Sequence, residues 1–562
     1  MSRRQALAAC GVGAAAFHPG ISLLQGIVNG LIRKAQADSL PGAAPIKTTI
    51  NYHLQDGPLR TSWDLPLSPY ANSAPVLTPL SGTKIENGKA VYRTVPVNIG
   101  SKTIYMPWAW STSIPTSGGG SVVMSELMRN MLIVRGIEGK TASHPDAAKE
   151  KTRPIGGAPS IMGAIADASS APVQAVIAGN YYGVPTTAFA ANHSAQVWVT
   201  DDNDPITQLL APFNRGADSV NSNFLTRRAA MDTLIQNGLS LLATAANSSQ
   251  PGSDALFAMR NRAEALMKSG VQTAIAAYPA LRKKYQGLIA ACAAYNQAGL
   301  SDAPIPLPRS NGYGINDTVV NVGGASYMQN SDVRTMINSS STPNWMAEDF
   351  AIAEILATQG LSSSLMIGSS VLRGVRYDSL LVYGTGASNQ GSSWYFDEHF
   401  GGSLTSLVAN AFLYRCLSAC LYELQNVLKS KSSPNGGTLW DQTIFFVSGD
   451  FGRNPRLDIG DAAGNPGGSD HDPLATNYSI FSGAIPSPLV LGNVGITPKT
   501  DPKYYGHWGE ARAVAGLARN LDCSDVISTI AKLAGVASPT DNFDSLLNAS
   551  GGSLIELAKE SD

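Results

Sequence analysis

The sequence predicts an α/β fold in which a central, mostly parallel sheet is flanked by helices. Short apolar runs that are typical of buried strands alternate along the chain with longer stretches of helical periodicity. Such alternation favours a parallel sheet covered on both faces. Hydrophobic residues make up 44% of the 562 residues, which is enough for a large core and excludes a disordered chain.

Six apolar runs are predicted strands, and two periodic stretches between them are predicted helices. In the longer helix, apolar residues recur every three or four positions and define one apolar face. The predicted strands are 48–54, 131–134, 172–177, 379–383, 443–447 and 489–491, and the predicted helices are 347–358 and about 404–428.

One region breaks the alternation. From about residue 223 to about residue 297 the composition is Ala-rich and helical throughout. Because strand-forming segments lie on both sides of this region, we predict that it is a helical insertion. The remainder, residues 38–562, is then one α/β domain that the insertion interrupts.

The first 37 residues have the three parts of an export signal. A charged start with Arg3-Arg4 is followed by an apolar run and by the small-residue site Ala35-Gln36-Ala37. The arginine pair is similar to a twin-arginine signal, so we expect a periplasmic or extracellular protein. An ordinary amphipathic N-terminal helix is the alternative.

The charge balance and the hydropathy limit the classes of partner that the chain can bind. Lys and Arg (40) nearly cancel Asp and Glu (41), so no net field attracts nucleic acid or anionic lipid. After residue 37 no apolar run is long enough for a membrane-spanning helix.

Cys292, Cys416, Cys420 and Cys523 have neither zinc-ribbon nor disulfide-framework spacing. We interpret Cys416 and Cys420, within the long helix, as buried thiols.

Histidines and carboxylates after predicted elements are the candidate site. In open α/β sheets the ligand crevice lies at the carboxyl ends of the strands, and Asp56 and Asp450 each follow a predicted strand. Zinc and manganese accept mixed His and carboxylate ligands. The predicted metal ligands are Asp56, Asp397, His399, Asp450 and His471. The alternatives are a turn for Asp56 and a hydrogen-bonded loop around His471.

Six motifs, in the same order from about residue 45 to about residue 540, resemble bacterial DUF1501-type proteins of the alkaline phosphatase-like superfamily. The matching stretches are Asp56-Gly57-Pro58 with Ser62-Trp63-Asp64-Leu65-Pro66, Met131 to Gly136 with His144-Pro145 and Gly157 to Ser160, Trp394 to His399, Val447 to Pro455, Ser469-Asp470-His471, and Asp525 to Val536.

This resemblance implies an alkaline phosphatase-like fold and a hydrolase of phosphate or sulfate esters, with a sulfatase-like start at Ser143-His144-Pro145. It implies Ser143 as nucleophile, a divalent ion (zinc, manganese or calcium) and Arg453 as a charge that binds an oxyanion. An ordinary helix N-cap is the alternative for Ser143, with Thr61 and Ser62 next as nucleophiles. A salt bridge with Asp450 or Asp458 is the alternative for Arg453.

Two departures from the superfamily pattern leave activity open. Phe451 stands where phosphatases have a second histidine ligand, and the spacing of Asp397 and His399 is shorter than usual. The substrate expected for an enzyme is a small anionic ester. The alternative is an inactive binding or cell-surface assembly protein on the same fold. A third hypothesis is a protein that binds a surface glycan through Tyr504, Tyr505 and Trp508.

Overall fold

The computed structural model of the chain describes the central sheet and the helices around it. The described ranges are 47–66, 84–86, 89–91, 93–99, 102–153, 159–169, 171, 175–178, 196–199, 271–292, 305–306, 309–310, 318–319, 321–322, 327–328, 342–368, 375–377, 381–382, 392–394, 403–455, 469–496, 508–514, 516–540, 543–550 and 553–556. The predicted signal (1–37), most of the predicted insertion, Asp397, His399, Asp458, Tyr504 and Tyr505 lie outside these ranges.

The described residues form a central sheet of nine strands. In chain order the strands are β1 (Thr48–Leu54), β2 (Met131–Glu138), β3 (Ala175–Ala178), β4 (Gln196–Val199), β5 (Ser364–Ile367), β6 (Thr443–Gly449), β7 (Thr476–Phe481), β8 (Leu489–Leu491) and β9 (Leu521–Asp522). Their spatial order is β4-β3-β5-β1-β6-β7-β2-β8, and β9 also pairs with β2. Among these nine described strands, only β7 is antiparallel to its neighbours. The predicted mostly parallel sheet is confirmed.

Strands β1 and β6 lie side by side in the middle of the sheet. They are paired in parallel from Thr48 opposite Thr443 to Leu54 opposite Gly449. Every residue of β6 and six of the seven in β1 are buried, as expected for parallel strands with helices on both faces. Because both strands end at the same edge, Asp56 and Asp450 follow them into the same region.

Helices cover both faces of the sheet. The helices are α1 (His144–Glu150), α2 (Ile161–Ala168), α3 (Val271–Cys292), α4 (Thr342–Thr358), α5 (Ser403–Lys429) and α6 (Cys523–Ala534). On one face, α3, α4 and α5 share a core with Ile50 and Tyr52 of β1. On the other face, α2 and α6 share a core with Ile444 and Phe446 of β6. The architecture is therefore three layers, helix–sheet–helix.

The remaining described elements are ten short two-stranded pairs and four 3-10 turns. The pairs are Lys84–Glu86 with Lys89–Val91, Thr94–Ile99 with Lys102–Pro107, Ser113–Pro115 with Ser121–Val123, Ile305–Pro306 with Tyr327–Met328, Arg309–Ser310 with Thr318–Val319, Asn321–Val322 with Leu381–Val382, Val375–Tyr377 with Ser392–Trp394, Gly452–Pro455 with Ser469–Asp472, Asn493–Ile496 with Trp508–Arg512, and Leu547–Ser550 with Ser553–Glu556. The turns are Trp108–Ser111, Met124–Asn130, Trp440–Gln442 and Pro473–Ala475. The pair of Gly452–Pro455 and Ser469–Asp472 places His471 opposite Arg453.

Most predicted elements are confirmed, with one exception. Strands 48–54 and 489–491 are found as predicted, and the runs starting at residues 131 and 443 extend further, to Glu138 and Gly449. Helices α4 and α5 contain the two predicted helices. Run 379–383 is a strand where it is described, at Leu381–Val382, but this strand pairs with Asn321–Val322 outside the central sheet. An apolar run predicts a strand but does not specify the strand with which it pairs.

The described cysteines agree with the interpretation from the sequence. Cys416 and Cys420 are buried free thiols on α5, as predicted, and Cys292 at the end of α3 joins the same apolar core. Among the described helices, none has an apolar stretch of the length needed to span a lipid bilayer.

Candidate metal centre

The turn that follows β1 brings Asp56 towards β6. Asp56 and Gly57 have φ angles of 69° and 59°, in the left-handed region that Asp tolerates and Gly adopts freely. A Cβ on Gly57 would lie 3.2 Å from the ring and carbonyl of Phe451. Arg453 donates to the carbonyl oxygens of Asp56 and of Gly57, the latter at 2.9 Å. Arg453 and Phe451 therefore hold this turn against the segment after β6.

Asp450 is the centre of the site. Its side chain is fully buried and accepts three hydrogen bonds. Oδ2 lies 2.8 Å from the backbone nitrogen of Asp56 and 2.8 Å from Nδ1 of His144, and Oδ1 lies 2.8 Å from Nε2 of His53. Two imidazoles and one backbone N–H thus surround one carboxylate.

His144 and His471 form the outer side of the site with Phe451. His144 is the first residue of α1, and 24% of its side chain is exposed. Its ring centre lies 4.7 Å from that of Phe451 and 4.6 Å from that of His471. Since a carbonyl only accepts, Nδ1 of His471 donates to the carbonyl oxygen of Ala142, at 2.8 Å. This hydrogen bond ties the loop of His471 to the segment just before α1.

Asp56, His144 and Asp450 form a candidate metal-binding group. Each offers one ligand atom, and these atoms lie within 4.8 Å of one another. Ligands about 2.1 Å from a shared ion lie roughly 3–4 Å apart in tetrahedral geometry, so a small movement would suffice. Two carboxylates and one imidazole suit zinc or manganese. The donor set therefore fits a divalent ion.

Asp450 remains ionised over the physiological pH range. Burial by itself raises the pKa of the Asp450 carboxyl, but the hydrogen bonds from His144 and His53 outweigh burial and lower the pKa to about 2. An ionised carboxylate only accepts hydrogen bonds. Nε2 of His53 and Nδ1 of His144 are therefore the donors in these two contacts.

We expect the protein to lose stability as the pH falls from about 3.8 to about 2, where Asp450 takes up its proton. The folded-state pKa of Asp450 is below its ordinary value, so the ionised group stabilises the fold above the ordinary value. This contribution disappears as the pH falls through the folded value. The difference corresponds to roughly 2 kcal/mol of unfolding free energy.

Urea unfolding of the protein and of an Asp450→Asn variant at about pH 4.5, 3 and 2 measures this contribution. The gap between the two unfolding free energies should narrow by roughly 2 kcal/mol on acidification. If the unfolding free energies of the two proteins fall in parallel as the pH decreases, Asp450 does not titrate in this range. Other carboxylates titrate in both proteins and cancel in the comparison.

A second buried polar cluster lies in the loop after β1, which begins with the Asp56 turn. Arg60 and Asp64 form an ion pair in which Asp64 also accepts hydrogen bonds from Asn477 and Ser479 of β7. Trp63 stacks on Tyr414 of α5, with ring centres 4.8 Å apart. The loop that starts with the Asp56 turn is thus fixed to both the sheet and a helix.

The structure brings together part of the predicted site. Asp56 and Asp450 belong to the candidate group, so Asp56 is both a turn residue and a candidate ligand. His471 lies beside them through its contact with the ring of His144. Asp397 and His399 lie outside the described residues.

The predicted nucleophile is exposed, whereas the predicted oxyanion-binding residue is buried. Ser143 is exposed at the N-cap position of α1, next to His144, and its side chain makes no capping hydrogen bond there. Arg453 is buried behind the Asp56–Gly57 turn. Among the alternative nucleophiles, the hydroxyls of Thr61 and Ser62 are buried and make no hydrogen bond to the described residues.

Sequence reasoning missed two histidines of the site. His144 begins a helix that follows β2, and this position is a sequence signal for a ligand at the same edge of the sheet. His53 lies within β1, three residues before Asp56. The alternation of β1 puts Thr49, Asn51 and His53 on one face, and polar residues on one face of a buried strand indicate a polar site.

The fold and the site define an α/β protein with a candidate metal centre at the carboxyl edge of its sheet. Neither the known protein families nor the curated proteins include a significant match to the chain. The likeness to DUF1501-type proteins therefore depends on the motifs quoted above, and it stays a prediction. So do the predicted export and the alkaline phosphatase-like variety of the fold.

Proposed function

We propose that the protein is an exported metal-dependent hydrolase of phosphate or sulfate esters. The observation that carries the proposal is the group of Asp56, His144 and Asp450, whose ligand atoms lie within 4.8 Å of one another. The group lies at the carboxyl ends of β1 and β6, where open α/β sheets bind ligands. The motif order of the DUF1501-type proteins supports the same assignment.

In this proposal the two carboxylates and His144 hold a divalent ion, which would replace the proton that Nδ1 of His144 donates to Asp450 in the metal-free protein. When bound, such an ion neutralises charge on the transferring group and lowers the pKa of the attacking hydroxyl. Ser143 supplies that hydroxyl, because it is exposed and adjoins His144 in the chain. Arg453 acts indirectly by fixing the carbonyls of Asp56 and Gly57 and hence the position of the Asp56 side chain.

A second candidate function is ester hydrolysis without a metal. Nδ1 of His144 faces the buried Asp450 carboxylate at 2.8 Å, and Nε2, which would be the base, is buried although 24% of the side chain is exposed. A carboxylate that orients an imidazole in this way makes the imidazole a general base. Ser143 would again be the nucleophile. The two candidates differ in whether activity depends on a divalent ion.

Metal content and ester turnover of the purified full chain test both candidates. We expect about one tightly bound divalent ion and turnover of a phosphate or sulfate ester that a chelator abolishes and added zinc or manganese restores. His144→Ala should remove both metal and activity. Ser143→Ala should keep the metal and reduce turnover by at least about 100-fold. Lys149→Ala, at the solvent side of α1, is the matched control and should change neither.

Each other outcome selects a different function. Activity that resists the chelator assigns the metal-free base mechanism. If the protein binds a metal but turns over none of the phosphate or sulfate esters tested, it is a binding or assembly protein. A chain that binds no divalent ion at micromolar concentration overturns the metal-dependent hydrolase. Unchanged turnover in Ser143→Ala reassigns the nucleophile to another hydroxyl.

A further inference from the structure

We propose that His53 is a positioning residue that makes Asp450 a one-oxygen ligand of the candidate metal centre. The inference rests on the proposed function, because it assumes that Asp450 binds an ion. Its basis is the hydrogen bond between Nε2 of His53 and Oδ1 of Asp450, at 2.8 Å, in a place where both side chains are almost completely buried.

The two oxygens of Asp450 have separate partners. Oδ1 accepts from His53, and Oδ2 accepts from the backbone of Asp56 and from His144. Oδ2 is therefore the oxygen in hydrogen-bond contact with the other two members of the candidate group, the ring of His144 and the backbone of Asp56. Because a carboxylate rotates as a unit, the hydrogen bond at Oδ1 determines the direction in which Oδ2 points. Loss of that bond would release the carboxylate to turn towards two-oxygen coordination or away from the ion.

His53 is itself held in one orientation. Its Nδ1 lies 3.1 Å from the hydroxyl oxygen of Ser448, and Ser448 donates to Oδ1 of Asn51 at 3.0 Å. His53 lies directly opposite Ser448 in the paired strands. Asn51, His53, Ser448 and Asp450 therefore form a continuous chain of contacts along one face of two neighbouring strands.

His53 contacts Asp450 in the way that outer hydrogen-bond partners contact metal-binding carboxylates in metalloproteins. Metal-binding carboxylates are themselves hydrogen-bonded in metalloproteins, and loss of the outer partner typically weakens metal binding about 10–100-fold. A polar side chain on a buried strand face could instead serve the fold alone. The distinguishing feature of His53 is that one ring nitrogen contacts a candidate ligand, whereas the other contacts Ser448 alone among the described residues.

Two amide substitutions separate these two contacts. The side-chain nitrogen of Gln reaches the position of Nε2, whereas that of Asn reaches only the position of Nδ1. We expect His53→Gln to keep its contact with Asp450 and to bind Co²⁺ within a few-fold of the unchanged protein. His53→Asn should bind Co²⁺ about 10–100-fold more weakly, with altered visible absorption bands of the bound ion.

Co²⁺ titrations of the full chain, followed by visible absorption, measure affinity and coordination together. Tyr52→Phe is the matched control, because Tyr52 is the buried neighbour of His53 on the opposite face of β1. This control should keep the affinity and spectrum even where its melting temperature falls. Equal melting temperatures of the Gln and Asn variants would exclude unfolding as the cause of their difference.

The outcomes separate this inference from the proposed function. If the unchanged protein binds neither Co²⁺ nor Zn²⁺, the metal-dependent function fails. If the protein binds Co²⁺ and the Gln and Asn variants bind it equally well, only the positioning role of His53 is overturned. A folded His53→Gln protein that binds as weakly as His53→Asn also overturns that role. Should His53→Asn not fold, the affinity and spectrum of His53→Gln decide the question.

Discussion

Replacement of Asp64 by alanine is expected to lower the free energy of unfolding by roughly 3–5 kcal/mol, because it leaves the Arg60 guanidinium buried without its carboxylate. Asp64 is fully buried, and only 4% of the Arg60 side chain is exposed. Nε of Arg60 donates to Asp64 at 2.6 Å, and Ser479 donates to it at 2.6 Å. Burial by itself lowers the pKa of Arg60, but Asp64 raises it above its ordinary value, so Arg60 keeps its charge.

Urea unfolding of three variants tests this expectation. Glu126→Ala breaks an exposed ion pair with Arg129 and should cost less than about 1 kcal/mol. The double variant Arg60→Met with Asp64→Ala removes both charges, so it should be more stable than Asp64→Ala alone. If Asp64→Ala costs no more than Glu126→Ala, the buried pair does not support the loop after β1. The loop would then depend on the stacking of Trp63 on Tyr414.

The layered fold could be predicted from the sequence because both periodicities are strong. The buried strands β1 and β6 are continuous apolar or mixed runs of seven residues, and α5 keeps one apolar face over many turns. The ends of strands were less predictable. β6 continues through Ser448 and Gly449, because backbone pairing with β1 does not depend on apolar side chains.

The two carboxylates of the site could be predicted, because each follows the end of a strand. Asp56 and Asp450 follow strands that are neighbours in the sheet, and parallel pairing brings their carboxyl ends together. His144 belongs to a helix that follows β2, and β2 is separated from β6 by β7. That approach depends on the strand order, which local sequence patterns do not specify. The left-handed turn at Asp56 also depends on contacts with Phe451 and Arg453, which lie far away in the chain.

Replacement of Asp450 by asparagine is expected to abolish divalent-ion binding at micromolar concentration and to cost roughly 1–3 kcal/mol of unfolding free energy. The Asp450 carboxylate accepts from His53, from His144 and from the backbone of Asp56. An asparagine amide has one acceptor oxygen, and its NH₂ group would face a donor on the other side. The negative charge that attracts an ion is lost as well.

Asp441→Asn is the matched control, because Asp441 lies at the opposite end of β6 and accepts from the backbone and hydroxyl of Thr438, both at 2.8 Å. This control should keep metal binding even where it lowers stability. Calorimetric titration of both variants with zinc measures the affinity, and urea unfolding measures the stability. If Asp450→Asn binds zinc as tightly as the unchanged protein, Asp56 and His144 do not bind the ion together with Asp450. Zinc would then have to bind at another site, and the hydrolase mechanism proposed for this edge of the sheet would lose its basis.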